Sequence, residues 1–298
     1  MLKLQDVVKT FDGVRTLDSV SMTVPRGSIY GLVGSNGAGK STVLRHVTGV
    51  YRQDAGSVLL EDEAVYENPA AKLRMADIPD ELYYFVSANT RDMMRFYRGF
   101  YPRFDMQRYE ALKDVFSMVD EKRPIRHLSK GMQKQSAFWL ALCCRPELLV
   151  LDEPVDGLDP VMRRQVWSLL MEDVADEGTT VLVSSHNLRE LEDVCDHVGI
   201  LSKGKMLVER SISDLQENIV KVQVAFEGDS LSQLPKDMFI LHHSNIGRVH
   251  TLIVRGGAQE TMDKLATCKP ILMDAVPLTL EEIFIYELGG EANEAQVF

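Results

Sequence analysis

The sequence predicts an α/β fold: a largely parallel sheet with helices on both faces, followed by a smaller α+β region. Three observations carry this reading. First, Gly34-Ser35-Asn36-Gly37-Ala38-Gly39-Lys40-Ser41-Thr42 fits the P-loop pattern G-x-x-x-x-G-K-[ST]. It lies between an apolar stretch at 28–33 that reads as a buried strand and a helix expected over 41–47. Second, residues 148–151 form an uninterrupted apolar run and 180–184 read as a second buried strand, as strands covered on both faces do. Third, strands and helices alternate across 28–201, and the pattern shifts past Ile212.

In chain order, residues 2–9 alternate apolar and polar, Asp12-Gly13 signals a turn, and 14–24 alternate again until Pro25-Arg26-Gly27. This predicts a small antiparallel sheet leading into strand 28–33. A short strand is expected at 58–60, a helical segment at 71–75, and a strand that stops at Ile78-Pro79-Asp80. From 81 to about 145 the composition changes: Tyr83, Tyr84, Phe85, Phe96, Tyr97, Phe100, Tyr101 and Phe104 crowd one stretch and mark a helical subdomain. Helices are expected at 90–100 and 105–119. Met93, Phe96, Tyr97 and Phe100 fall at helical spacing, a stripe that reads first as core and second as a partner-binding groove. Ser129 suits the N-cap of an apolar helix at 136–144. Helices follow at 163–173 and 188–194, and a hairpin at 198–209 turns at Lys203-Gly204. Beyond 212, strands at 219–226, 239–243, 249–254 and 271–275 surround a helix at 259–266. Thr279-Leu280-Glu281-Glu282 resembles a capping box opening a helix over 280–288. The expected organisation is therefore a domain over 1–211, an α+β domain over 212–290, and a frayed polar tail over 291–298.

The 298 residues suffice for one large or two moderate domains. A formal net charge of −11 argues against a broad nucleic-acid surface, so no nucleic-acid partner is expected. No apolar run reaches the length of a membrane-spanning helix, and the N-terminus turns polar too early for a secretory leader. A role at a membrane would then need another subunit to span it. Cys143, Cys144, Cys195 and Cys268 lack metal-ligand spacing and suggest reduced thiols in a cytosolic protein.

The chemistry converges on strand ends, where ligands collect in parallel sheets. Glycines let the loop curl so that successive N–H groups face one anion, here a phosphate at a helix N-terminus. Lys40 can reach the outer phosphates of a nucleotide and the Ser41 hydroxyl can ligate Mg²⁺. Asp152 ends the apolar run at 148–151 and can hold Mg²⁺ directly or through water. Glu153, one position on, can orient or deprotonate an attacking water. His186, after strand 180–184, can donate to a γ-phosphate or hold the water. Phe11 can stack on a nucleotide base or simply fill a strand-end core.

Together these residues resemble the nucleotide-binding subunit of ATP-binding cassette (ABC) transporters over residues 1–210. Ser129-Lys130-Gly131-Met132-Gln133, after Leu128, looks like the family's LSGGQ signature. The 148–153 stretch resembles its Walker B strand with catalytic glutamate. Asp156-Gly157-Leu158-Asp159 resembles the D-loop, Ser185-His186 the switch histidine, and Phe11 the aromatic A-loop position. The signature form S-K-G-M-Q and the ending Pro277-Leu278-Thr279-Leu280-Glu281-Glu282-Ile283-Phe284 resemble the bacterial branch that works with separate ABC-2 type permeases. The resemblance implies the ABC-cassette form of the P-loop NTPase fold: a mixed-sheet core, an antiparallel β subdomain and a helical subdomain. It also implies ATP hydrolysis with Mg²⁺ held by Ser41, Asp152 and Asp80. Two cassettes, identical or paralogous, would face head to tail, with ATP between the P-loop of one (Gly34, Asn36, Gly37, Ala38, Gly39, Lys40, Ser41, Thr42) and Ser129, Lys130 and Gly131 of the other. The implied place is the cytoplasm, on the inner face of the membrane through permease subunits. Two departures stand out: Asp80 occupies the position where the family usually has a glutamine, and Lys130 replaces a signature glycine. A soluble ABC-type ATPase acting as a mechanical or assembly switch is the alternative, and it would favour long coiled-coil heptads, which the sequence lacks.

Overall fold

The computed structural model describes residues 1–217, 219–227, 234–235 and 237–288, so the tail expected at 291–298 lies outside the described residues. Two compact units divide the chain: residues 1–187 with 194–209, and residues 188–193 with the described residues from 210 onward.

In the first unit, β1 (Leu2–Phe11) and β2 (Val14–Val24) form a hairpin whose turn, Asp12-Gly13, has both residues in the left-handed region that such two-residue loops require. After β3 (Ile29–Val33) and α1 (Lys40–Val47) come β4 (Ala55–Leu60) and β5 (Glu63–Ala64). β1 pairs antiparallel with β2 and β4, giving the sheet order β2-β1-β4-β5. Helix α2 (Pro69–Lys72) is shorter than the sequence suggests, and Met75 already belongs to β6 (Met75–Ile78). Parallel pairing of Met75–Ile78 with Leu148–Leu151 overrides the local helical tendency there.

The helical subdomain contains α3 (Thr90–Phe100), α4 (Met106–Val115) and α5 (Lys130–Cys143). Asn89 and Asp92 form a reciprocal capping box on α3, and Asp105 and Ser129 cap α4 and α5 with their side-chain oxygens. Helix α5 therefore starts six residues earlier than its apolar run, directly after its cap. Trp139 is the pin of this subdomain: its ring stacks on Tyr109 at 4.7 Å and its Nε1 donates to the buried Tyr109 carbonyl at 2.9 Å. The aromatic stripe of α3 corrects the expectation of a core. That helix buries only Thr90 and Met93, with the Thr90 hydroxyl bonded to Ser136 of α5. Phe85, Phe96 and Phe100 are left as an exposed cluster, centroids 4.7–5.2 Å from Phe96.

β7 (Leu148–Asp152), α6 (Pro160–Glu177), β8 (Thr180–Ser185), β9 (His197–Ser202) and β10 (Lys205–Ser211) complete a six-stranded sheet of order β10-β9-β3-β8-β7-β6. The pairs β9-β3, β3-β8, β8-β7 and β7-β6 are all parallel. Its central strands β3, β7 and β8 are buried at every position, as their unbroken apolar character demands. Their carboxyl ends bring Gly34, Asp152, Glu153 and His186 to one edge.

The second unit holds α7 (Ile212–Glu217), β11 (Ile219–Ala225), β12 (Phe239–Ile246), β13 (Val249–Arg255), α8 (Ala258–Ala266), β14 (Leu272–Val276) and α9 (Leu280–Leu288). Its sheet is antiparallel in the order β12-β13-β11-β14, and Val222, Val224, Leu252, Val254 and Leu265 form its core. Thr279 and Glu282 exchange side-chain and backbone hydrogen bonds at the start of α9, the capping box read from the sequence. Residues 188–193 are not the regular helix expected. Leu188–Glu190 is a single 3-10 turn, and its neighbours are engaged elsewhere: Arg189 pairs with Glu281, and the Glu192 carboxylate accepts the Leu280 N–H at 3.0 Å. Glu192 thus satisfies a donor at the mouth of α9 rather than supporting a helix of its own.

Candidate functional site

The loop from β3 to α1 builds the site's floor. Gly39 stands at the N-cap of α1 with φ 109° and ψ 5°, a backbone conformation open to glycine and strained for other residues. A cavity of about 280 Å³ lies there, lined by Thr16, Ser35, Asn36, Gly37, Gly39, Lys40, Ser41, Thr42, Asp80, Asp152 and Glu153. Helix N-terminal N–H groups and the Lys40 cation suit this cavity to an anion. Lys40 is 6% exposed. Its ammonium donates to the Gly34 carbonyl at 2.7 Å and lies 3.4 Å from Glu153 Oε1. A phosphate drawn to Lys40 would therefore compete directly with the Glu153 carboxylate.

The opposite wall comes from β7 and β8 in register, Asp152 beside Ser184. The Ser184 hydroxyl donates to Asp152 Oδ1 at 2.5 Å, and the Glu153 N–H donates to both the Ser184 carbonyl and its Oγ at 3.2 Å. Glu153 sits in the left-handed region at φ 45°. For a side-chain-bearing residue that conformation costs on the order of 1–3 kcal/mol and persists only where neighbours hold it. Its carboxylate is held on both sides: Oε1 faces Lys40 and Oε2 lies 2.9 Å from His186 Nδ1. His186 is partly exposed, and Glu153, Asp156 and His186 bring ligand atoms within 4.8 Å of one another.

Asp80 borders this cavity and also a second, larger one lined by Leu44, Arg45, Val50, Asp77, Ile78 and Tyr83 among others. Asp80 Oδ1 lies 3.8 Å from Nζ of Lys134, a buried lysine of α5 that also donates to the Glu153 carbonyl at 2.5 Å. Burial pulls the pKa of Lys134 down, against the attraction of Asp80, Asp156, Glu153 and Asp152.

Ser129, Lys130 and Gly131 open α5 and are not among the residues lining the phosphate-sized cavity of their own chain. Gly131 meets the D-loop instead. A Cβ there would stand 2.7 Å from the Gly157 carbonyl, so only glycine permits this approach without a shift. Phe11 packs edge-on against Tyr51 at 5.2 Å with the Lys9 ammonium over its face; it too lies outside the cavity lining. Thr16, Ser184 and Lys134 are site residues the sequence reading passed over. Ser184 hid in a buried strand, and a mid-helix lysine reads as solvated.

Chemically, the cavity joins a cation and helix N–H groups on one wall to two carboxylates on the other. Hard oxygen donors, Ser41 and the buried Asp152 with Asp80 at the rim, suit a small divalent cation such as Mg²⁺. Such a set of groups suits phosphoanhydride hydrolysis in a P-loop cassette. The ABC transporter family pattern matches residues 17–156. The chain is 30% identical to the ABC transporter ATP-binding protein YtrB of Bacillus subtilis, over 98% of this chain and 99% of that one. It is 28% identical to the bacitracin transport ATP-binding protein BcrA of Bacillus licheniformis, over 97% and 98%. A solved ATP-binding subunit of an ABC transporter matches 72% of this chain and 92% of its own with a TM-score of 0.67 at 26% identity. The chain belongs to the ABC transporter ATP-binding protein family. It is an ATP-binding subunit with ATPase activity. No helix among the described residues is long and apolar enough to cross a membrane.

Proposed function

We propose that this chain powers a separate membrane permease, of the ABC-2 type, from the inner face of the membrane by closing on ATP as a head-to-tail pair of cassettes. The observation that carries the reading is the Glu153 carboxylate, held between Lys40 at 3.4 Å and His186 at 2.9 Å on the rim of the phosphate cavity. In this account Glu153 accepts a proton from water as its oxygen attacks the γ-phosphorus, the bond to the β-phosphate oxygen breaks, and ADP and phosphate leave. Lys40, freed from Glu153, offsets charge on the outer phosphates. His186 keeps Glu153 oriented and reaches toward the γ-phosphate. Mg²⁺, held by Ser41 and Asp152 with Asp80 at the rim, would supply charge neutralisation of the phosphate oxygens. Phe11 would meet the base. Ser129, Lys130 and Gly131 of the second copy would close on the γ-phosphate with the N-terminus of α5. Their position outside their own chain's cavity supports a shared site.

The exposed Phe85, Phe96 and Phe100 cluster and the groove around Leu44, Val50, Ile78 and Tyr83 suit the permease contact, since aromatic surfaces are enriched at interfaces. Residues 1–211 would form the motor and 212–290 an accessory domain. The test is Glu153→Gln. It should retain ATP, turn over slowly and accumulate a nucleotide-bound dimer on gel filtration. Hydrolysis at the wild-type rate would remove Glu153 from its role.

A further inference from the structure

Lys134 is 7% exposed, yet it is a lysine in the interior of a subdomain helix, and nothing in the P-loop reading requires it. Its ammonium has two partners of different kinds: the main-chain carbonyl of Glu153 and the carboxylate of Asp80. Burying a cation in this way is costly unless its partners compensate, so the arrangement implies a task. Two features define it. Glu153 adopts a left-handed backbone that needs support, and its N–H is already fixed by Ser184 from one side. Its carbonyl is held from the other side by the side-chain ammonium of Lys134, beside a longer backbone bond from the Asp156 N–H at 3.4 Å. Asp80, for its part, brings a negative charge to the rim of a cavity suited to phosphate, where a neutral group would repel less.

We propose that Lys134 is a positioning residue for hydrolysis: it clamps the Glu153 main chain and pairs with Asp80, so that the two together present a neutral unit beside the γ-phosphate. The inference rests on Glu153 being the catalytic carboxylate. It also gives the helical subdomain a direct hold on that carboxylate. Helix α5 is capped by Ser129, a residue proposed to meet the other copy's ATP, and contacts Glu153 through Lys134, five residues after that cap. Movement of α5 toward the partner's nucleotide would be felt at the peptide that aims the base. The device requires no titration of Lys134; its fixed charge and its reach are sufficient.

The test compares Lys134→Met, Lys134→Arg, Asp80→Asn and the Asp80→Asn/Lys134→Met pair in the full chain. Three readouts are used: single-turnover ATP hydrolysis, ATP affinity, and the ATP-dependent dimer in a Glu153→Gln background. Misaiming a base by a fraction of an ångström predicts a loss of about 10–100-fold in the Lys134→Met hydrolysis rate, with ATP affinity changed by less than about threefold and the dimer retained. Lys134→Arg should recover part of the rate. The double variant should hydrolyse faster than Lys134→Met, because Asp80 no longer presents an unpaired charge. Three results would overturn the proposal: Lys134→Met hydrolysing within about twofold of wild type, Lys134→Met losing ATP affinity and dimer together with the rate, or a double variant slower than Lys134→Met. Glu153→Gln serves as the control. If it hydrolyses normally, the reading of Glu153 fails before Lys134 is judged.

Discussion

Gly131→Ala separates the site's geometry from the fold's stability. The added methyl would stand 2.7 Å from the Gly157 carbonyl, where ordinary van der Waals contact begins near 3.4 Å. Either the D-loop or the first turn of α5 must then move by roughly 0.7 Å. Both energetic terms are modest and opposed. Alanine gains about 1 kcal/mol of helix propensity over glycine, while overpacking costs about 1–3 kcal/mol. The net loss of stability is therefore expected to be at most about 2 kcal/mol. Function is more exposed, because a displacement approaching 1 Å can cost on the order of 100-fold in a step that needs two surfaces aligned. Gly131→Ala should bind ATP with near wild-type affinity as a monomer, since Lys40 and the loop are untouched. Combined with Glu153→Gln, it should fail to form the ATP-bound dimer that Glu153→Gln alone forms. Gel filtration with ATP, together with a thermal melt of each variant, makes the comparison. A Gly131→Ala/Glu153→Gln protein that dimerises as readily as Glu153→Gln would refute the reasoning.

Other expectations follow from single contacts. Lys40→Ala should weaken ATP binding by at least about tenfold in equilibrium titration, because the charge-assisted bonds to phosphate are lost. Ser184→Ala removes the donor to the buried Asp152 and an acceptor of the Glu153 N–H; it should cost about 1.5–3 kcal/mol in urea unfolding and slow hydrolysis as well. Trp139→Phe keeps the stacking face but deletes the Nε1 donor to the Tyr109 carbonyl, which lies inside α4, with an expected cost of about 0.5–1.5 kcal/mol for the lost hydrogen bond by the same measurement. Asp105→Ala deletes the α4 cap and should cost about 1 kcal/mol at neutral pH. The Arg108 N–H, and next Arg145, hold the Asp105 carboxyl below its ordinary pKa. A depressed folded pKa means the carboxylate's contribution is complete above the ordinary carboxylate range and is lost as pH falls through the depressed value. The difference between wild type and Asp105→Ala should therefore shrink in acid.

Much of the fold was legible because local signals and global demands agree. Residues 148–151 are apolar throughout and lie in a strand covered on both faces; Ser129 and Thr279 cap the helices they precede, whereas Asp105, expected as the first residue of a helix over 105–119, caps a shorter one, Met106–Val115. Reading failed where a tertiary partner outbid local preference. Met75 has a local helical tendency that pairing with β7 overrides, and 188–194 has one that yields to the bonds of Glu192 and Arg189 with Leu280 and Glu281 of α9. The aromatic stripe misled because spacing reveals a face but not what covers it. In the site, Lys40 is readable as the P-loop lysine at the start of a helix, and Asp152, Glu153 and His186 as motif positions at strand ends. Lys134 and Ser184 were not, because their roles come from register and helix placement: Ser184 lies opposite Asp152, and Lys134 faces a carbonyl nineteen positions away.

The central claim is that one complete site takes its P-loop from one copy and Ser129–Gly131 from another. Mixing two inactive variants tests it directly. Lys40→Ala alone and Gly131→Ala alone should each lack hydrolysis beyond background. In an equimolar mixture, each heterodimer holds one intact site and neither homodimer holds any. Steady-state phosphate release should then recover to roughly a quarter of the wild-type rate for random pairing, and to about half where only heterodimers close. A mixture no more active than either variant by itself would contradict the account.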